Sequence, residues 1–348
     1  MRAGRVFVLI VIAFVLPAAG IQAAPPPAAT QIRLVGPSEG FVPVGEVVTP
    51  QGAVIDTFRS GDVTLRVLGS PGSTVRVRRV SEEASGRAGV AVELAASRPK
   101  QLGDAAAYGR SGRSVVGDLV ALGMPEEDAR REFGDMDVHD PVGAAATASE
   151  PILLASTAVD PTTLAGAPSA TASATTPYDT QCASISYQGG LIEGYGCSTI
   201  YLVAASGTDW WFNNKFKVSA RSKDPSVWWC FPGTCPWRLA QLGWSLGWAK
   251  NNILYDWEPS ATNKARDCST ISFSASYHGV GVSVGGTVCP EVIQPWNMSG
   301  RRSGAEWQGI EKGTAWESAF GIQAIHSPPG AAVGYSSPFS LVWARWNT

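Results

Sequence analysis

Residues 268–289 read CSTISFSASYHGVGVSVGGTVC, and this stretch decides the fold class. Large apolar and small polar residues alternate along it. Phe273, Ala275 and Tyr277 share one face with Val280, Val282 and Val284, while Ser272, Ser274 and Ser283 share the other. His278 and Gly279 supply a two-residue turn, although a type I′ turn prefers Asn or Asp first. Counted outward from that turn, Cys268 falls directly opposite Cys289. Opposed Cα atoms of an antiparallel pair stand about 4.5–5.5 Å apart, a separation that a disulfide accepts. The stretch therefore predicts a β-hairpin pinned at its base.

A second hairpin obeys the same arithmetic. Around a turn at Gly189 and Gly190, Cys182 falls opposite Cys197. The remaining cysteines, Cys230 and Cys235, close a short loop. Six cysteines, all in the C-terminal half, predict three bridges: 182–197, 230–235 and 268–289. No His or further close Cys pair completes a zinc set, so no metal site is expected. In the chain-entropy model a hairpin bridge stabilises by about 2–4 kcal/mol.

Three pairs of segments match in order. Cys182-Ala-Ser-Ile-Ser-Tyr187 resembles Cys268-Ser-Thr-Ile-Ser-Phe273. Phe216-Lys-Val-Ser-Ala220 resembles Phe320-Gly-Ile-Gln-Ala324. Ser245-Leu-Gly-Trp-Ala-Lys250 resembles Ser340-Leu-Val-Trp-Ala-Arg345. The matches predict tandem repeats over about 181–252 and 267–348. They should bring Trp248 onto Trp343 and Phe216 onto Phe320. The expected fold is mainly β: a disulfide-pinned β-sandwich or barrel over 181–348, preceded by a small α+β region.

All 13 Trp also lie in the C-terminal half, from Trp210 to Trp346. Residues 141–180, rich in Ala, Thr, Ser and Pro, form a linker between the halves. Residues 25–140 are a small α+β domain or a pro-region. Within them Val63, Leu65 and Val67, then Val75 and Val77, then Val90, Val92 and Leu94 alternate as strands do. Residues 114–122 read as a short helix. Residues 125–133 read as a better one, with Pro125 first, acids in the first turn and Gly134 after the end. His139 stands in an acidic stretch with Asp135, Asp137 and Asp140, read as a solvated loop rather than a cation site.

At the N-terminus, Arg2 and Arg5 precede an apolar run over 6–16, then Pro17 and small residues to Ala24. This is a signal-peptide pattern over 1–24, so the protein is expected to be secreted. The run is too short for a helical membrane span. No later segment is long and apolar enough for one, so no span is expected after signal cleavage. A formal net charge of −2 gives no basic footprint for nucleic acid.

Motifs for chemistry are few. Gly281-Val-Ser-Val-Gly285 matches a hydrolase elbow in letters, but its Ser lies inside an alternating strand. Neither His278 nor His326 sits in a base-plus-nucleophile pattern. The carboxylates Asp209, Asp256, Glu258, Glu291, Glu306, Glu311 and Glu317 could supply a glycosidase pair. Asn297-Met-Ser299 matches a glycosylation acceptor. No cofactor motif is present. The loop Trp228-Trp-Cys-Phe-Pro-Gly-Thr-Cys-Pro-Trp237 crowds four aromatics, Trp228, Trp229, Phe231 and Trp237, around a bridged turn. Such rings either cap the core or bind flat ligands. The reading reached is a secreted, non-enzymatic protein whose aromatic loop binds a polysaccharide or an extracellular protein. The alternative is an extracellular hydrolase with paired carboxylates.

Overall fold

The structure is a computed structural model. It describes residues 32–36, 39–51, 53–70, 72–82, 86–98, 113–137, 176–206, 208–224, 230–231, 235–264, 269–277, 280–288, 292–309 and 315–345. The expected signal and most of the linker lie outside these residues. So do His139, Asp140, Trp228, Trp229, Cys268, His278, Cys289, Glu291 and Glu311.

The described strands of the first half are β1 (Arg33–Leu34), β2 (Val42–Val48), β3 (Val54–Ser60), β4 (Val63–Gly69), β5 (Thr74–Glu82) and β6 (Arg87–Arg98). Helices α1 (Val115–Ala121) and α2 (Glu126–Phe133) follow, closed by a 3-10 turn over Gly134–Met136. Then come β7 (Thr176–Tyr187), β8 (Ile192–Ser206), β9 (Asp209–Ser222), β10 (Trp237–Trp248), β11 (Ile253–Glu258) and β12 (Asn263–Lys264). The last are β13 (Ser269–Tyr277), β14 (Val280–Val288), β15 (Val292–Pro295), β16 (Arg302–Gln308), β17 (Glu317–Ser327) and β18 (Val333–Arg345).

The protein is mainly β. One eight-stranded sheet runs β1-β5-β6-β18-β10-β16-β15-β12, and a second runs β11-β17-β9-β8-β7-β4-β3-β2. The two pack face to face. Trp244 of β10 is fully buried, and its ring fills the space where a side chain at Gly196 of β8 would begin. Leu341 of β18 fits over Gly194 in the same way. Trp343 stacks on Tyr187 at 4.7 Å. Gln323 of β17 crosses the interface with its amide satisfied. Its oxygen accepts from Trp248 Nε1 at 3.0 Å, and its nitrogen donates to Leu246 O at 2.9 Å and Ser303 Oγ at 2.7 Å. A buried amide needs such partners to avoid a penalty of about 1–3 kcal/mol.

The stretch 25–140 contributes to both sheets rather than forming a sheet of its own. β4 pairs with β7, and β6 pairs with β18 along its whole length. The alternating Val63, Leu65, Val67, Val75, Val77, Val90, Val92 and Leu94 are all buried. Both expected helices form. Ser114 Oγ accepts from Gly117 N at 3.0 Å, and Asp137 accepts from Val115 N and Val116 N, so both cap α1.

The first hairpin has the predicted register: Cys182 opposes Cys197, with Cα atoms 4.1 Å apart across the bridge. Gly189 (φ 67°) and Gly190 (φ 104°) take left-handed conformations in its turn. The fold does not confirm the expected tandem repeat. Trp244 stands opposite Phe339, so the matched segments of β10 and β18 are related by a local twofold at that pair. Trp248 and Trp343 consequently lie at opposite ends of neighbouring antiparallel strands. β9 and β17 also pair, but with Phe216 opposite Gly321 and Phe320 opposite Lys217, so Phe216 lies on the inner face and Phe320 on the outer one, and the two are not equivalent. The opening segments break the relation. β7 and β8 lie inside the second sheet, whereas β13 and β14 form a two-stranded sheet by themselves.

The outer face of the second sheet carries a third layer. Tyr195 and Tyr201 donate from β8 to the carbonyls of Gly123 and Met136 in the helical unit. The β13–β14 hairpin covers β17 and β9 beside it.

The close approach at Gly196 makes a prediction. A Cβ there would lie 2.6 Å from the Trp244 ring. Gly196→Ala should destabilise the fold by about 1–3 kcal/mol through overpacking. In chemical unfolding the double variant with Trp244→Phe should regain part of that loss.

Candidate functional site

The β13–β14 hairpin follows the register predicted from the sequence, from Ser269 opposite Val288 to Tyr277 opposite Val280. Its two faces meet different surroundings. Phe273 and Val284, an opposed pair, are buried at 7% and 1% exposure. Ser272 and Ser283 on the other face are exposed. Ser283 thus lies mid-strand, and no nucleophile elbow forms there.

The docking surface belongs to β17 and β9. Gln323 faces the first sheet, so Phe320, an odd number of residues away, faces outward. Its ring meets Phe273 with centroids 5.4 Å apart. Lys217 lies opposite Phe320 in the sheet and places its ammonium 5.5 Å over that ring. Gly286 sits against both, since a Cβ there would be 3.0 Å from Phe320 and 3.4 Å from Lys217 Nζ. The ammonium donates to Gly285 O at 2.6 Å and pairs with Asp135 Oδ1 at 3.1 Å. Asp135 Oδ2 accepts from Gly285 N at 2.9 Å. The expectation of a solvated acidic loop is therefore corrected: Asp135 fastens the hairpin and Asp137 caps α1. Sequence reading placed Asp135 only in a solvated loop and missed Lys217, because neither belongs to a motif.

No family model and no curated protein matches the chain. Solved structures resemble it distantly. Clostridium perfringens delta-toxin aligns over 44% of this chain and 75% of its own, at 9% identity and a TM-score of 0.30. A chain described as a pore forming protein aligns over 49% and 84%, at 10% identity and 0.30. The NetB toxin of Clostridium perfringens in its membrane-inserted form covers 49% and 81%, at 9% and 0.18.

The aromatic loop is described in part. The 230–235 bridge forms, with Cα atoms 5.0 Å apart. Phe231 is 67% exposed. Trp237 is half-buried at the start of β10, with the Arg345 guanidinium 4.4 Å over its ring and Tyr187 edge-on at 5.7 Å. Trp228 and Trp229 lie outside the described residues.

Among the described residues, the carboxylates singled out by sequence lie on several different strands. Asp209 lies 2.6 Å from His326 Nε2, and His326 stacks on Trp211 at 3.9 Å. Glu306 is buried and accepts from Gln241, Gln294 and Gln308. Glu258 accepts from Ser260. Asp256 shares β11 with Glu258, and Glu317 opens β17. Asp209, Glu258 and Glu306 thus hold His326, amides and a hydroxyl rather than one another.

Exposure at position 231 and burial at position 320 predict opposite mutational responses. Phe231→Ala should change unfolding free energy by no more than about 0.5 kcal/mol. Phe320→Ala should cost about 3–5 kcal/mol. Urea titration of the two variants checks the contrast.

Proposed function

We propose that this is a secreted, membrane-inserting β-protein and that the β13–β14 hairpin is the segment that enters the bilayer. The observation that carries this reading is the hairpin itself: an uncharged, two-faced pair of strands, hydrogen-bonded into neither large sheet among the described residues, with Phe273 and Val284 of its apolar face buried.

Each strand has nine residues, within the roughly 9–11 that a transmembrane strand needs. From Cys268 to Pro290 the sequence has no Asp, Glu, Lys or Arg. A basic residue on the lipid face at mid-membrane would cost about 2–4 kcal/mol. Apolar residues at 271, 273, 275, 277, 280, 282 and 284 alternate with Thr, Ser and Gly, except at the turn. That is the apolar-out, polar-in period of a membrane barrel. The absence of a long apolar helix among the described residues does not bear on a span made of strands.

One hairpin leaves two open edges, which lipid does not tolerate. Closure therefore requires several copies, roughly four or more if each gives two strands to a barrel of at least eight. The aromatic loop of Trp228, Trp229, Phe231 and Trp237 is assigned the earlier step, attachment to a glycan or protein on the target surface. The exposed ring of Phe231 supports that assignment.

The test uses vesicles of phosphatidylcholine and cholesterol loaded with a self-quenching dye. Micromolar protein should release the dye. Single-cysteine variants Ser283→Cys and Val284→Cys, carrying an environment-sensitive fluorophore, should then report opposite surroundings. The label at 284 should be quenched from within the lipid, and the label at 283 by aqueous iodide. No release, with neither label quenched from within the lipid, rejects the reading.

A further inference from the structure

We infer that Asp135 and Lys217 form a catch that keeps the hairpin on the body, and that breaking this ion pair releases the hairpin. The inference rests on the membrane-inserting reading for its purpose, but not for its test.

Among the described residues β14 is hydrogen-bonded into a ladder with β13 alone, so its other edge is unpaired. An open edge offers unpaired backbone groups to any partner. At Gly285 both groups of that edge are taken. The N–H donates to Asp135 Oδ2 at 2.9 Å, and the carbonyl accepts from Lys217 Nζ at 2.6 Å. The two charges also bind each other at 3.1 Å. One carboxylate and one ammonium thus replace a neighbouring strand at a single residue. Charge-assisted bonds of this kind are about twice as strong as neutral ones.

The two halves of the catch stand on different supports. Lys217 projects from the middle of β9, is 4% exposed, and has the Phe320 ring beneath it. Asp135 is carried by the 3-10 turn after α2. That turn is held to the sheet by Lys215 Nζ donating to Asp135 O at 3.0 Å and by Tyr201 donating to Met136 O at 2.8 Å. Asp135 keeps 35% exposure, so water and ions reach one side of the pair. The arrangement is therefore firm at its base and accessible at its contact. With the catch broken, Phe273, Val284 and Gly286 still hold the hairpin by apolar contact, which a membrane supplies equally well.

Hydrogen–deuterium exchange of the intact protein without membranes tests this directly. In Lys217→Met, amides of 269–288 should exchange at least about tenfold faster than in the wild type. Amides of β8 and β10 should keep their rates. Asp135→Asn should act in the same direction, and the double variant should exceed neither single variant by much, because each removes the same pair. In wild type, raising sodium chloride from 0.05 to 1 M should also speed the hairpin amides by screening the exposed side of the pair. That measurement stands even where a variant folds poorly. Hairpin amides that exchange equally slowly in both variants and at both salt concentrations overturn the catch. Faster exchange without faster dye release from the vesicles upholds the catch and rejects the membrane reading.

Discussion

The packing of Trp244 against Gly196 fixes the distance between the two sheets, and much of the remaining structure follows from that distance. A ring seated where a Cβ would stand brings β10 and β8 closer than two ordinary side chains would permit. Gln323 can then reach from β17 to Leu246 and Ser303 across the gap. That reach sets which face of β17 looks inward. By strand alternation it turns Phe320 outward, and pairing with β9 turns Lys217 outward beside it. The outer face of the second sheet thus acquires an aromatic ring and an ammonium that both require cover. The hairpin and the helical unit supply it.

The cover is electrostatically matched. The outer face presents Lys215, Lys217 and Arg221, and the helical unit answers with the Asp135 carbonyl, the Asp135 carboxylate and Asp128. Arg221 is further held by Glu193 at 2.7 Å. Buried cations of this kind cost several kcal/mol when unpaired. The helical unit therefore neutralises a surface that the sheet cannot leave exposed to a hydrophobic neighbour. Lys217 is the one of the three whose neutralising acid also binds the hairpin.

Local features were legible in the sequence. Both hairpin registers, the 182–197 and 230–235 bridges, the strands at 63–67, 75–77 and 90–94, and both helices follow from period, turn residues and caps. Those signals act over a few residues. The partition of strands between sheets was not legible, because β4 meets β7 and β6 meets β18 across more than a hundred residues. Nor was the catch, whose Asp135 and Gly285 are 150 residues apart. The alternation of 271–284 was legible, but its use was not. Six of its fourteen residues are Ser or Gly, so its hydropathy falls far below that of a spanning helix.

The contrast between the two hairpins shows why only one of them is a candidate for release. Both open with Cys-x-x-Ile-Ser followed by an aromatic, yet they meet opposite fates. β7 and β8 are hydrogen-bonded on both sides, to β4 and to β9. They are buried on both faces, with Cys182, Ala183, Ile185, Ile192 and Cys197 all sealed. To leave, they would have to break two ladders and expose both faces. Among the described residues β13 and β14 form strand pairs only with each other, keep Ser272 and Ser283 in water, and bury Phe273 and Val284, while Gly285 bonds to Asp135 and Lys217 outside that ladder. Their departure breaks no ladder and carries their own hydrogen bonds with them. What it exposes is one apolar face, on the hairpin and on the sheet beneath. A bilayer covers the first of these, and Lys217 leaves the second partly polar. Similar sequences thus become a hairpin built into a large sheet or one set apart from both, and the difference follows whether the second face is also buried.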